Sequence, residues 1–160
     1  MRGKDVESEK SPWKNLTDKL SVRTISLGEI DSAELRRIVT PDGELNRVLG
    51  GGIVPGSIVL VAGEPGIGKS TLFLQDALLL KNVKTLYVSG EESEQQIKMR
   101  ADRLGISNEN FYILTETNTQ IIFKEVKKLQ PGLLIIDSIQ TLHTPYVESA
   151  PGSISQIRDT

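Results

Sequence analysis

The sequence predicts an α/β domain in which a parallel sheet carries helices on both faces. Three observations lead there. Short, continuously apolar runs (IVLVA at 58–62, TLYV at 85–88, FYIL at 111–114, LLII at 133–136) alternate with segments of helical period. Strands that are apolar throughout belong to parallel sheets covered on both sides. A glycine-rich turn, GEPGIGKS at 63–70, lies between the first apolar run and the first of these helices, and the last run ends in an acid, Asp137.

The 160 residues suit one domain, and a chain of this length buries about two thirds of its surface. Hydrophobic content of 38% with 25% charged residues excludes global disorder. Nineteen Lys and Arg against 21 Asp and Glu leave a net charge of −2, which excludes a basic nucleic-acid coat or an acidic tail. The absence of cysteine removes disulfides, thiolate zinc sites and cysteine nucleophiles from consideration. No apolar run reaches membrane-spanning length, and the opening MRGKDVESEK lacks the apolar core of a signal peptide. The expectation is a soluble cytoplasmic protein without membrane contact.

Residues 1–34 are polar and without period, and read as a tail or linker that Trp13 can anchor locally. Residues 35–160 read as the domain. In RIVTPDGELNRVLGGGIVPG (37–56), Thr40 is a candidate cap and Pro41 suits a first helical position, with Leu45, Val48 and Leu49 on one face. Gly50, Gly51 and Gly52 end that helix. The run 58–62 is the first predicted strand, followed by an apolar helix over 70–80 and a second strand over 85–88. A helix over 92–104 lines up Ile97, Ala101 and Leu104 and stops at Gly105. After the strand over 111–114, a helix over 120–129 presents Ile121, Ile122, Val126 and Leu129, and Gly132 leads into the strand over 133–136. The final stretch, 138–160, is rich in Ser, Pro, Gly and Thr and is expected to turn helical near Ser153.

The turn Gly63, Glu64, Pro65, Gly66, Ile67, Gly68, Lys69, Ser70 fits G-x-x-x-x-G-K-[ST] at every fixed position, between a predicted strand and a predicted helix. A random chain of this length matches in under about 1% of cases. Glycines let backbone N–H groups wrap phosphate oxygens, and the helix start adds free donors and the positive end of the helix dipole. Lys69 is the residue to reach the β- and γ-phosphates, the Ser70 hydroxyl to ligate Mg²⁺, and Thr71 can face the α-phosphate. Asp137, ending an apolar strand, suits the Mg²⁺ shell, because ligands bind beyond the C-terminal ends of parallel strands. Ser89-Gly90-Glu91-Glu92-Ser93 follows the second strand at the same sheet edge. Glu91 is the first choice to polarise a water for attack on the γ-phosphate, with Glu92 as the alternate that spacing does not separate from it. Both acids also suit a helix start, and Ser93 with Gln96 suits a capping box.

Other features read as structural. His143 belongs to a polar, solvent-exposed loop. Lys98, Arg100, Asp102 and Arg103 read as a solvated helix face. Tyr146 is a loop aromatic, with base stacking as the less favoured role.

Together, ELNRVLGGGIVPGS (44–57), GEPGIGKSTL (63–72), LYVSGEES (86–93), IKMRADRLG (97–105), LLIIDSIQT (133–141) and APGSISQIRD (150–159) resemble the RecA-like ATPase core of the bacterial RadA/Sms DNA-repair and recombination family. The resemblance runs over about residues 37–159. It implies an ATP- and Mg²⁺-dependent, DNA-dependent ATPase that binds single-stranded or branched DNA. It also implies branch migration on recombination intermediates alongside a RecA-type recombinase, in a homo-hexameric ring. By the same resemblance Lys69 and Ser70 bind phosphate and Mg²⁺, Glu91 is the catalytic carboxylate and Asp137 the Walker B acid. The 142–157 loop would face the DNA channel, and ADP would also occupy the phosphate loop.

The sequence departs from the family pattern at both ends. The family's four-cysteine zinc motif has no counterpart, so no zinc is expected, and the chain stops at Thr160, inside what the resemblance makes the next helix. In RecA-like folds the strand after that helix lies between the phosphate-loop strand and the Asp137 strand. A truncated core, with weak nucleotide binding and poor turnover, is therefore the expectation. Two other classes compete: a different P-loop class such as a GTPase, for which no Asn-Lys-x-Asp element is found, and a truncated nucleotide-binding module without turnover that associates with DNA or full-length subunits.

Overall fold

Five consecutive buried residues make Thr85–Ser89 (β1) the axis of the sheet. The computed structural model describes residues 24–29 and 36–145. The chain divides into two units, Met1–Glu34 and Leu35–Thr160. Of the first, the described residues include a single 3-10 turn, Leu27–Glu29. Trp13, Tyr146, Ser153 and most of the 142–157 loop lie outside the described residues.

In the second unit the described elements are α1 (Gly43–Val48), α2 (Lys69–Leu79), β1, α3 (Glu94–Leu104), β2 (Phe111–Thr115), α4 (Thr119–Leu129), β3 (Leu133–Asp137) and a 3-10 turn at Ile139–Thr141. The strands form a parallel sheet in the order β2-β1-β3, with Tyr87 opposite both Ile113 and Ile135. Side chains alternate across a strand. Tyr87 and Ile135 therefore share one face with Leu74 and Leu78 of α2 and Ile97 and Ala101 of α3. Leu86, Val88 and Ile136 share the other face with Ile122, Val126 and Leu129 of α4. The two crossovers run in opposite directions along the sheet, so right-handed connections require α3 and α4 on opposite faces. The predicted α/β class, a parallel sheet with helices on both faces, is the observed one.

Helix ends follow side-chain chemistry. Ser93 caps α3 in a reciprocal capping box with Gln96, which starts the helix at Glu94 rather than at residue 92. Asp42, not Thr40, caps α1 through the amides of Glu44 and Leu45. Thr40 instead joins Asn46, whose Oδ1 accepts from the Thr40 amide at 2.9 Å.

The expected strand over 58–62 does not form. Among the described residues none of its backbone groups enters a ladder, and Ile58 and Leu60 are 98% and 78% exposed. Its apolar composition suits a buried central strand, yet a strand exists only where a neighbour accepts its hydrogen bonds. The facing edge of β3 is likewise unpaired among the described residues.

Two features of this core carry measurable consequences. At the end of β1 a Cβ on Gly90 would lie 2.0 Å from Oγ1 and 2.5 Å from Cβ of Thr141, in the 3-10 turn after β3. Gly90→Ala is therefore expected to cost about 1–3 kcal/mol of stability by overpacking, read by chemical denaturation. Asp76 of α2 is 7% exposed, its Oδ2 has no protein partner among the described residues, and burial, assisted by the charge of Asp42, pushes its carboxyl from 3.8 up to about 6. The folded state thus holds the Asp76 proton more tightly than the unfolded chain. That stabilisation is complete below about pH 4 and is lost as pH rises through about 6. Asp76→Asn is expected to flatten this fall, so that denaturation at pH 5 and pH 7.5 gives a smaller difference for the variant than for the wild type.

Candidate nucleotide site

The loop over 63–68 ends in Gly68, which takes a left-handed φ of +100° as the first cap of α2 and offers no side-chain acceptor to the helix amides. Gly66 also sits at a positive φ, +80°. Side-chain caps close the starts of α1, α3 and α4, whereas the first N–H groups of α2 have no capping side chain. Those free donors and the positive helix end form an anion cradle of the P-loop kind. The Lys69 ammonium donates to the carbonyls of Gly63 (2.7 Å) and Glu64 (2.8 Å), holding its charge against the loop. Ser70 and Thr71 follow on the first turn of α2, which Leu74 and Leu78 anchor in the core.

At the C-terminal edge of the sheet, strand order reverses between β1 and β3, the position where ligand crevices form in open α/β sheets. Three contacts draw the two strand ends together. The Gly90 amide donates to the Asp137 carbonyl at 3.3 Å, and the Ser138 hydroxyl donates to Glu91 Oε1 at 3.1 Å. The third joins Tyr87 Oη to Asp137 Oδ2 at 2.6 Å. Asp137 therefore lies on the same sheet face as α2, by the alternation that pairs it with Tyr87 and Ile135.

Glu91 and Glu92 have different partners. The Ser89 hydroxyl oxygen accepts from the amide of Glu92 at 3.0 Å, fixing the turn. Glu92 is then ion-paired with Arg100 of α3, at side-chain exposures of 31% and 21%. Arg100 is thus half-buried and engaged, rather than part of a solvated face, whereas Lys98 and Asp102 pair on the exposed surface. The second terminal nitrogen of Arg100, Nη2, is buried without a protein partner among the described residues. A cleft of about 370 Å³ opens beside Glu91 and Glu92, walled by residues 89–93 and by the end of β2 at 115–117.

His143 is half-buried rather than loosely solvated. Its backbone bridges to Asn118, with its amide on the Thr117 carbonyl at 2.9 Å and its carbonyl taking the Thr119 amide at 3.1 Å. Two contributors escape a reading of the sequence, Tyr87 and Ser138. Tyr87 is legible in retrospect as the polar-tipped aromatic of a buried strand, two residues before the register partner of Asp137. Among the described residues no group of three or more His, Cys, Asp or Glu could hold a metal, so a cation here would depend on the nucleotide for further ligands. Ser70 and Asp137, two oxygen donors of which one is charged, fit that use. No helix among the described residues is long and apolar enough to cross a membrane.

A family profile described as "ATPase: KaiC" matches residues 42–113. Curated relatives share more of the chain. "DNA repair protein RadA" of Streptococcus pneumoniae (strain ATCC BAA-255 / R6) is 54% identical over 138 residues, 86% of this chain and 33% of that protein. The protein of the same name in Bacillus subtilis (strain 168) is 47% identical over 145 residues, 87% of this chain and 32% of that protein. That of Listeria monocytogenes serovar 1/2a (strain ATCC BAA-679 / EGD-e) is 52% identical over 133 residues, 82% of this chain and 29% of that protein. The chain spans about a third of the length of these relatives. The free anion cradle at the start of α2 and the acid at the end of β3 agree with these likenesses: over the matched residues the chain is similar to the RadA DNA repair proteins, and over residues 42–113 to the KaiC ATPase profile.

Proposed function

We propose that this chain binds ATP with Mg²⁺ on the 63–70 loop and carries the hydrolytic carboxylates of a DNA-repair motor. The observation that supports this most directly is the joining of Glu91 to Ser138, the residue after Asp137, where the ends of β1 and β3 meet. In this reading Lys69 and the loop amides from Glu64 to Gly68 (Pro65, without an N–H, excepted) hold the β- and γ-phosphates, and Thr71 lies next to the α-phosphate. Ser70 and Asp137 hold Mg²⁺, which when bound neutralises charge on the transferred phosphoryl group. Glu91 orients a water and accepts its proton. Glu92 is the weaker candidate, because its charge is committed to Arg100. ADP binds the same loop.

The relatives' name supports a role in DNA repair. Single-stranded or branched DNA as the partner, DNA-stimulated turnover, branch migration beside a RecA-type recombinase, a homo-hexameric ring and a cytoplasmic location complete the proposal. A second reading, nucleotide binding without turnover, is favoured by the unpaired 58–62 segment, which leads directly into the loop.

Thermal unfolding with and without Mg-ATP tests the first step. Ligand at 100 times Kd stabilises by about 2.7 kcal/mol, worth several degrees here, and Lys69→Ala is expected to abolish the shift. For turnover, Glu91→Gln is expected to keep the shift and lose about 10²–10⁴-fold in phosphate release, with Glu92→Gln within a few fold of wild type. Equal losses in both variants would reject the assignment to Glu91. A thermal shift without phosphate release, with or without single-stranded DNA, would favour the second reading.

A further inference from the structure

We infer that Tyr87 is a positioning residue for Asp137, fixing one carboxylate oxygen so that the other is presented to the metal shell. The inference rests on the nucleotide-site reading above. Tyr87 lies in the middle of β1 and is fully buried. Its ring packs at 5.9 Å from that of Phe111 and sits among Leu74, Ile97 and Ile135. Such a position asks only for an apolar side chain, and a phenol placed there must find a partner for its hydroxyl. The partner is specific. Ile135 lies directly opposite Tyr87 on β3, and Asp137 is two residues further along the same face, the diagonal neighbour within an aromatic side chain's reach. The resulting Oη–Oδ2 distance of 2.6 Å is that of a charge-assisted bond.

The hydroxyl is the donor. A phenol has a proton to give, whereas a carboxylate only accepts. Asp137 is thereby tied at Oδ2, while Oδ1 has no protein donor among the described residues and remains free to accept from the metal shell. The tie also couples the acid to the core. Tyr87 touches α2 and α3 through its ring and Asp137 through its hydroxyl, so the carboxylate is held relative to the helix that carries Lys69 and Ser70. Outer-shell partners of metal-binding groups act in this manner, and their loss lowers metal affinity or activity about 10–100-fold.

Tyr87→Phe removes the hydroxyl and keeps the ring. The measurement is ATP affinity of the full chain by calorimetric titration, in excess EDTA and in excess Mg²⁺, alongside thermal unfolding of the free protein. The variant is expected to fold, to bind metal-free ATP as the wild type does, and to lose about 10-fold of the tightening that Mg²⁺ confers. Asp137→Asn should lose that tightening too, and adding Tyr87→Phe to it should lose little more. A variant that responds to Mg²⁺ as fully as the wild type would overturn the inference, leaving Tyr87 a core residue with a satisfied hydroxyl. Equal weakening with and without Mg²⁺ would also overturn it, because that outcome reports general damage. Should Tyr87→Phe lose stability, Phe111→Leu, which disturbs the same packing and keeps the hydroxyl, serves as the control on the same ratio, and a ratio that tracks lost stability alone rejects positioning. Wild-type protein that binds no ATP in either condition, as Lys69→Ala is expected to behave, would instead overturn the nucleotide-site reading beneath it.

Discussion

The parallel pairing of β1 with strands on both its sides is the constraint from which the site follows. Once β1 is buried along its whole length, the alternation of its side chains decides which residues of β3 meet which helices. Odd-numbered positions share the face of α2 and even-numbered ones the face of α4. Asp137 is therefore delivered to the face of α2 by parity, not by any local feature of the residues around it. Because ladder register has a period of two, a slip of one residue would send it to the other face. The acid's place and the stability of the sheet are secured by the same set of hydrogen bonds.

Most of this architecture is legible in the sequence, because its signals are local. The β1, β2 and β3 runs are continuously apolar, α3 and α4 carry their core residues at helical spacing, and the glycines before Lys69 announce the turn that opens α2. What escapes is non-local. The run over 58–62 has the composition of a central strand, but composition does not report whether a neighbour stands beside it. Glu91 and Glu92 are equivalent by spacing and differ only because Arg100, one turn or more along α3, lies where it can reach Glu92. Tyr87 and Asp137 stand 50 residues apart, and nothing between them announces that they touch.

The two adjacent acids illustrate how a turn sorts like charges. Glu91 meets a neutral hydroxyl, which orients the carboxylate without cancelling its charge, whereas Glu92 is matched to a cation away from solvent. A half-buried pair of that kind contributes little net stability in itself, but removing one member leaves the other uncompensated. Arg100 thereby does two things for the turn: it absorbs one of two neighbouring negative charges and fastens α3 to the residues after β1. The wall of the adjacent cleft at the end of β1, which includes Glu92, is held by the same fastening.

The exposed run over 58–62 also bears on how this chain behaves at concentration. From Gly56 to Gly63 there is no charge and no proline, and three of the five residues at 58–62 are β-branched or share that β-forming character. Short uncharged windows of this composition pair readily with copies of themselves, and protein surfaces ordinarily guard them with lysine, proline or a covering element. Glu64 is the nearest charge and sits beyond the glycine, on the loop rather than in the run. The colloidal fate of the chain is thus set a few residues upstream of the glycine-rich loop: a strand paired with this run would complete the sheet and at the same stroke act as a solubilising cover.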